Sequence, residues 1–180
     1  MEKSDIRREV RQRIKTMTQE NMLSESREIF RKVEALDEFA KADCVALFAA
    51  MKDEVPTRET LIRWRDMGKR VVVPRVEGDI MRFYDYSPER MQVGAFGIEE
   101  PMGDEEVAAE AIDLIIVPAR AFTLEGVRLG RGGGFYDKYM SLADFRAYKV
   151  GITFACQIFD ELPKDDHDIL VDRVISASGQ

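Results

Sequence analysis

Residues 128–137 form the segment of this 180-residue sequence whose residue types and spacing best suit chemistry. The segment reads R-L-G-R-G-G-G-F-Y-D, with four glycines within five positions and two arginines beside them. Glycines let backbone N–H groups approach a ligand closely, and the planar fork of an arginine donates two parallel hydrogen bonds to one oxyanion. A helix is predicted from about residue 134 to 142, and its N-terminus would add partial positive charge. The pattern therefore predicts a phosphate-binding loop.

This glycine loop does not identify its ligand by itself. It is not a Walker A motif, because no G-K-[ST] follows, and it fails G-x-G-x-x-G because Phe135 occupies the last glycine position. A tight strand-to-helix connection with solvent-facing arginines would have the same composition. Asp137 also has two interpretations, since it would either cap the first turn of the helix or supply an oxygen ligand to Mg²⁺ carried by a nucleotide.

The amino-terminal segment is locally basic on an acidic chain of net charge −7. Its basic residues are Lys3, Arg7, Arg8, Arg11, Arg13 and Lys15. The overall acidity argues against nonspecific nucleic-acid binding, which depends on Lys and Arg neutralising phosphates. The local basic cluster suits a small anionic ligand. The alternative is a solvated helix face, with the acidic residues Glu2, Asp5 and Glu9 as partners of these cations.

The supply of histidine and cysteine limits the possible chemistry. The only histidine, His167, excludes most metal-hydrolase and Ser-His-Asp schemes, which need several imidazoles or one held beside a nucleophile. Cys44 and Cys156 lie among apolar neighbours and are predicted to be free, buried thiols. Any catalysis must therefore rely on charge and positioning.

The composition, 45% hydrophobic and 34% charged, indicates a folded globular chain. No apolar run approaches the ~20 residues that a membrane span needs, and the N-terminus has no apolar signal region. We therefore expect a cytoplasmic protein without a membrane partner. The length suits one domain, predicted to cover residues 1–180.

Apolar periodicity predicts alternating helices and strands. An amphipathic helix is expected over about residues 3–19, and Ser24 is predicted to cap a second helix. A helix after Pro56 is predicted to end at Gly68, and Gly78 with Asp79 predicts a hairpin turn. The expected strands cover residues 44–50, 71–74, 114–118 and 149–155, and residues 87–103 are expected to form a loop.

This order of elements predicts the fold class. Strands that alternate with helices, without a repeat or an internal linker, indicate a single three-layer α/β/α domain with a mostly parallel sheet. In such sheets, ligands bind at the carboxyl ends of the strands. The glycine loop follows one of these predicted strands, so we expect the functional site at that edge.

The segment V-P-A-R-A-F-T-L-E-G-V-R-L-G-R-G-G-G-F-Y-D-K-Y-M resembles the signature of the 5-formyltetrahydrofolate cyclo-ligase family, also called methenyltetrahydrofolate synthetases. Further family-like segments occur in the expected order, namely K-S-D-I-R-R, F-A-A-M-K-D-E-V-P-T, V-P-R, F-G-I-E-E-P and H-D-I-L-V-D-R-V-I. The resemblance covers essentially the whole chain and implies a fold related to sugar-phosphate isomerases and CoA-transferases. Phe135 stands where many members have tyrosine, which keeps a ring but loses a hydroxyl.

The resemblance implies an ATP-dependent enzyme that closes 5-formyltetrahydrofolate to 5,10-methenyltetrahydrofolate and releases ADP and phosphate. The formyl oxygen would attack the γ-phosphoryl group, and N10 would then attack the activated carbon. Such transfers are accelerated mainly by positioning and by neutralising phosphoryl charge. ATP and Mg²⁺ would be required, and the folate would carry one or several glutamates. We expect a monomer.

Site residues follow from the resemblance by position. Those matching ATP-binding positions are Lys3, Arg7, Arg128, Leu129, Gly130, Arg131, Gly132, Gly133, Gly134, Phe135 and Tyr136. The folate would contact Ala49, Glu54, Arg131, Gly132, Gly133, Gly134 and Phe135. The Glu54 carboxylate would recognise the donors of the pterin ring. Asp137 and Asp172 would hold Mg²⁺, and Arg131, near the γ-phosphate, is the candidate catalytic residue.

Two other functions stay open. A sugar-phosphate isomerase uses similar glycine-rich loops and needs a carboxylate base, but it would not require Lys3 with Arg7 or a pair of metal-binding aspartates. A regulatory module without catalysis would bind ATP and not consume it in the presence of reduced folate.

Four further residues receive individual predictions. Trp64 is expected in the core and His167 in a structural loop. Phe96 is a candidate to cover the folate. Arg75, placed just after a predicted strand end, is expected to face the site and bind phosphate or the glutamate tail of the folate.

Overall fold

A computed structural model describes residues 1–94 and 97–178 of the chain. Its strands are β1 (Cys44–Ala46), β2 (Arg70–Glu77), β3 (Ile80–Asp85), β4 (Met91–Val93), β5 (Glu99–Pro101), β6 (Leu114–Val117), β7 (Ala121–Phe122), β8 (Arg128–Leu129), β9 (Tyr148–Thr153) and β10 (Arg173–Ser176). Its α-helices are α1 (Lys3–Lys15), α2 (Gln19–Glu34), α3 (Asp37–Lys41), α4 (Arg58–Asp66) and α5 (Phe135–Met140).

The central sheet has six strands in the order β10-β9-β6-β1-β2-β3. All neighbouring pairs are parallel except β2 with β3, which form an antiparallel hairpin. Both β1 and β6 are buried along their whole length, as expected for parallel strands covered on both faces. The prediction of a mostly parallel α/β sheet is confirmed.

The two faces of the sheet are covered unequally. One face packs against α1, α2, α3 and α4, and α1 contributes its buried stripe of Ile6, Val10 and Ile14. The other face is covered by α5, by the 3₁₀ turn Ala109–Ala111 and by the loops around them. Trp64 of α4 is fully buried, as predicted, and its indole N–H donates to Glu34 Oε2 at 2.8 Å.

Several boundaries differ from the predictions. The first helix ends at Lys15, and the next begins at Gln19 because the hydroxyl of Thr18 accepts a hydrogen bond from the backbone N–H of Asn21 at 3.0 Å. Ser24 is therefore inside α2 and does not cap it. The predicted strand over residues 44–50 is paired only as β1, and the predicted loop over residues 87–103 contains the short antiparallel pair β4–β5.

Two predicted turns are confirmed. Glu77 pairs with Ile80 across the hairpin, so Gly78 and Asp79 form the two-residue connection, and Gly78 has φ +67°. Gly68 follows α4 with φ +93°, a conformation that glycine adopts without steric cost.

Candidate active site

The candidate site lies where the carboxyl ends of the parallel strands meet. Residues 49–54 follow β1, residues 118–120 follow β6, and the 3₁₀ turn Ala155–Gln157 follows β9. The Gln157 side-chain amide donates to the backbone oxygens of Ala119 at 3.2 Å and Arg120 at 3.0 Å. These two hydrogen bonds join the segment after β9 to the segment after β6. Both segments lie at the carboxyl edge of the sheet, where ligands bind in α/β folds.

The glycine loop depends on backbone geometry that favours glycine. Gly132 has φ +114°, and Gly134, which precedes α5, has φ +74°. A Cβ at Gly130 would lie 3.0 Å from Arg128 Nη2. However, α5 begins at Phe135 and spans only six residues, shorter than predicted, so few peptide dipoles align there. The positive charge of the site therefore comes mainly from side chains.

Arg128 lies behind the loop. Its side chain is 7% exposed, its Nε donates to the Pro118 backbone oxygen at 2.8 Å, and its guanidinium lies 5.2 Å from the ring centre of Tyr136. Burial lowers its pKa, and the nearby Asp137 carboxylate opposes that shift. Leu129, also predicted to line the nucleotide, is in the core, so only its backbone is available to a ligand.

Helix α1 brings one of its basic residues, Arg7, to the glycine loop. Arg7 Nε donates to the Gly130 backbone oxygen at 2.8 Å, so the helix is docked on the glycine loop. Lys3 Nζ lies 2.8 Å from Asp165 Oδ2 and 3.2 Å from Asp168 Oδ2. The hydrogen bond to Asp165 is the main cause that raises the pKa of Lys3. Arg7 thus contacts the glycine loop, whereas Lys3 is paired with carboxylates of another loop, and its binding to phosphate stays a prediction.

Arg131 contacts two adjacent carboxylates from the segment after β1. Its Nη2 lies 2.5 Å from Asp53 Oδ1, and its Nε lies 3.7 Å from Glu54 Oε2. The other oxygen of Asp53 lies 2.7 Å from Nη1 of Arg120, which is 3% exposed. Asp53 and Arg120 were not predicted as site residues, although the two successive acids in K-D-E-V-P are a signal in the sequence.

The Glu54 carboxyl is 14% exposed, and its Oε1 accepts a hydrogen bond from the backbone N–H of Met51 at 2.8 Å. Burial raises its pKa, and the Met51 N–H and Arg131 oppose the shift. Glu54 and Ala49 line one cleft of about 530 Å³. Its apolar walls include Met22, Leu23, Met51, Leu61, Ile62, Tyr86 and Met91. A larger, more open depression of about 980 Å³ along α1 includes neither residue.

The two predicted metal ligands have different surroundings. Asp137 Oδ1 accepts a hydrogen bond from the Ile169 backbone N–H at 3.0 Å, in the first turn of α5. Asp172 Oδ2 accepts from the Lys149 backbone N–H at 2.8 Å and lies 3.3 Å from Lys149 Nζ, near the start of β9. Asp172 is therefore paired with the Lys149 ammonium group at the amino end of that strand. A shared metal ion between Asp137 and Asp172 stays a prediction.

Two further predicted site residues are Arg75 and Phe96. Arg75 is inside β2, where its Nη1 donates to the backbone oxygens of Pro101 and Gly103 and its guanidinium lies 3.7 Å from the Tyr84 ring centre. Its expected position after a strand end was wrong, because the hairpin with β3 extends the strand. Phe96 lies outside the described residues.

Cys44 and Cys156 are free; Cys44 is buried as predicted, and Cys156 is partly exposed. No helix in residues 1–94 or 97–178 has the length and apolar character needed to cross a bilayer.

Comparison with known proteins identifies relatives that share one family name. Residues 1–177 match the model of the 5-formyltetrahydrofolate cyclo-ligase family. The 5-formyltetrahydrofolate cyclo-ligase of Mus musculus is 30% identical, with 96% of this chain and 92% of that protein covered. The Escherichia coli K12 protein of the same name is 29% identical, with 94% and 97% covered.

Solved structures show the same likeness. The NMR structure of Aquifex aeolicus 5,10-methenyltetrahydrofolate synthetase superposes with a TM-score of 0.86 at 36% identity, covering 97% of this chain and 89% of that one. The Mycoplasma pneumoniae 5,10-methenyltetrahydrofolate synthetase gives a TM-score of 0.79 at 25% identity, with 99% and 100% covered. The likeness therefore extends over the whole domain.

Proposed function

The chain belongs to the 5-formyltetrahydrofolate cyclo-ligase family, and we propose that it converts 5-formyltetrahydrofolate to 5,10-methenyltetrahydrofolate with ATP and Mg²⁺. One observation carries the proposal beyond family membership. Arg131 of the glycine loop lies 3.7 Å from Glu54 of the cleft. A loop suited to phosphate and a cleft suited to a flat ring therefore adjoin, as a phosphoryl transfer between two bound substrates requires.

The binding roles follow from the chemistry of the lining. The apolar walls of the cleft suit the rings of a reduced folate, and the Glu54 carboxylate would accept hydrogen bonds from the pterin. Lys3, Arg7 and Arg131 would surround the phosphates of ATP, with backbone N–H groups of residues 130–134 as further donors. Phe135 and Tyr136 would complete the nucleotide wall.

The proposed reaction has two bond-forming steps. The formyl oxygen attacks the γ-phosphorus, the bond to the β-phosphate oxygen breaks, and ADP leaves. N10 then attacks the formyl carbon, the carbon–oxygen bond to phosphate breaks, and the N10 proton is lost as the ring closes. Arg131 would stabilise charge on the transferred phosphoryl oxygens, so no histidine base is needed.

Mg²⁺ would neutralise phosphate charge when it is bound with the nucleotide. Asp137 suits this role, since it is a half-buried carboxylate beside the glycine loop. Asp172 would have to exchange its contact with Lys149 for the metal. We propose both as ligands, and the surroundings of Asp137 support it more directly.

A spectrophotometric assay tests this function. We expect methenyltetrahydrofolate absorbance to appear when the folded protein meets 5-formyltetrahydrofolate, ATP and Mg²⁺, and to require all three. Omission of ATP, its replacement by a non-hydrolysable analogue, and chelation of Mg²⁺ are the controls. A folded sample that binds ATP and forms no product would favour the regulatory-module alternative and contradict the proposal.

The proposal also includes the binding partners, the oligomeric state and the cellular location. The partners are small molecules, namely ATP and a folate with one or several glutamates. We propose a monomer that acts in the cytoplasm, and sedimentation of the purified chain would check the monomeric state.

A further inference from the structure

Asp53 is bridged by two arginines from different segments. Its Oδ1 lies 2.5 Å from Nη2 of Arg131 on the glycine loop, and its Oδ2 lies 2.7 Å from Nη1 of Arg120. Arg131 is 38% exposed, whereas Arg120 is 3% exposed. One carboxylate therefore links a partly exposed arginine at the surface to a buried arginine inside the fold.

The inner arginine is held firmly. Its backbone oxygen accepts from Gln157 Nε2 at 3.0 Å, and Gln157 Oε1 in turn accepts from the Thr153 hydroxyl and the Phe154 backbone N–H, each at 2.9 Å. Among residues 1–94 and 97–178, Arg120 Nη2 is buried without a hydrogen-bond partner. Asp53 is thus the carboxylate that compensates this buried cation, and the two would stay together if Arg131 moved.

The contacts of Arg131 use one part of its guanidinium. Nη2 meets Asp53 and Nε faces Glu54, and in the described part of the chain Nη1 makes no hydrogen bond. A guanidinium has five N–H donors, so the Nη1 donors stay available for an oxyanion while the other side is held. The side chain is therefore oriented before a ligand arrives.

We propose that Asp53, backed by buried Arg120, is a positioning residue that holds Arg131 by one edge so that its free donors face the transferred phosphoryl group. This inference rests on the proposed function for the identity of the anion. It adds a role for two residues that would not themselves touch the substrates. Preorganisation of this kind lowers the barrier because the charge need not be reoriented during the reaction.

The protonation of Asp53 is consistent with this role. Burial raises its pKa, but the hydrogen bonds from Arg131 and Arg120 outweigh burial, and the net pKa lies below the usual range. Glu54 is the other charged group that faces it. Asp53 is therefore ionised at neutral pH and able to hold both cations.

Steady-state kinetics of Asp53→Asn test the proposal, because the substitution keeps the shape of the side chain and removes its charge. We expect kcat to fall about tenfold or more, as misplacement of a catalytic group does. Since Arg131 keeps its charge, the KM for ATP should change by no more than about twofold. Asp53→Glu should restore part of the lost kcat. Arg131→Ala gives the upper limit of the loss.

A matched control is Asp85→Asn. Asp85 pairs with Arg70 through two hydrogen bonds of 2.7 and 2.9 Å at the amino end of β2, away from the site. We expect its kcat to equal that of the unmodified protein. If Asp53→Asn does not fold, because Arg120 loses its counter-charge, Asp53→Asn combined with Arg120→Met removes both buried charges and should show the same loss in kcat.

An NMR measurement tests the positioning without turnover. The Nη–H signals of Arg131, identified by their loss in Arg131→Lys, should exchange with water slowly in the unmodified protein, because Nη2 donates to Asp53, and faster in Asp53→Asn. Equal exchange rates, or a kcat in Asp53→Asn like that of Asp85→Asn, would overturn the positioning role. If the unmodified protein shows no turnover, the proposed function fails, and the exchange comparison alone decides the role of Asp53.

Discussion

At the residue scale, the buried carboxyl of Glu54 is the clearest sign of a binding function. Burial raises its pKa, so ionisation at this position is unfavourable for folding. A side chain that only stabilised the fold would not need a charge here. The Met51 N–H would also bond to the amide oxygen of a glutamine. A glutamine at this position would therefore keep the shape of the side chain and the Met51 hydrogen bond but remove the charge.

We expect Glu54→Gln to raise the free energy of unfolding at pH 7 and to weaken folate binding about 10- to 100-fold, since a charged hydrogen bond is lost. The stability gain has a defined pH dependence. A carboxyl whose folded pKa is raised carries a penalty above that pKa, so the gain should shrink as the pH falls and vanish below about 4, where the carboxyl is protonated in both states. Denaturant titrations and calorimetry measure both effects.

Glu59→Gln is the control for this prediction. Glu59 is exposed on α4 and pairs with Arg27, whose hydrogen bond lowers its pKa. Its replacement should give no stability gain at pH 7 and leave folate binding unchanged. Unchanged folate binding by Glu54→Gln would remove Glu54 from the site.

At the element scale, the glycine loop is held between α1 and α5. Arg7 of α1 bonds to Gly130, and Gly134 leads into α5. A Cβ at Gly132 would lie 3.7 Å from the Arg7 guanidinium, an ordinary contact, so the conformation of the backbone rather than crowding favours glycine there. This allows the shape of the loop to be tested separately from its packing.

Gly132→Ala and Gly68→Ala form a matched pair, with φ of +114° and +93° and no close contact at either Cβ. The strain of a positive φ on alanine is about 1–3 kcal/mol if the backbone stays in place. The exposed glycine loop relieves strain by changing shape, so Gly132→Ala should lose no more stability than Gly68→Ala. It should nevertheless lose at least about tenfold in kcat, because the phosphate donors move.

Thermal unfolding and the methenyltetrahydrofolate assay on both variants check this pair. Gly68→Ala should keep the activity of the unmodified protein. If the two variants lost activity equally, the effect would arise from general destabilisation and the loop would not be the phosphate site.

At the scale of the whole molecule, the two layers over the sheet create an apolar environment for its central strands. Cys44 in β1 is 4% exposed, and burial raises its pKa from 9.0 to about 11, with Arg70 opposing and Asp113 adding to the shift. The folded thiol thus stays neutral after the unfolded thiol has ionised. The unfolded state gains stability over that pH window.

The free energy of unfolding should therefore fall as the pH rises from about 9 to about 11, with a maximum contribution from Cys44 of about 1.4 kcal/mol per pKa unit. Cys44→Ala should be less stable at neutral pH because a buried side chain is truncated. The difference between the two proteins should narrow above pH 9. Urea unfolding at pH 7.5, 9 and 10 measures it, and a constant difference would show that Cys44 titrates normally in the fold.

The sequence by itself determined the fold class, the family resemblance and the composition of the loop. Apolar runs such as residues 114–118 and turn residues such as Gly68 and Gly78 act locally, so they are visible without coordinates. Helix boundaries are not fixed by such local signals, because neighbouring capping residues compete. Thr18 caps α2 where Ser24 was expected, since either hydroxyl can accept a backbone N–H and packing selects one.

Only the tertiary structure decided what the charged side chains contact. The pattern R-G-G-G predicts an anion site, but it cannot show that Arg131 meets Asp53 and Glu54, or that Arg120 is buried behind them. The tertiary structure also pairs Asp172 with Lys149 and places Arg75 within the hairpin. Ion pairs of this kind depend on distances between segments remote in sequence, and those distances are fixed only when the strands assemble into one sheet.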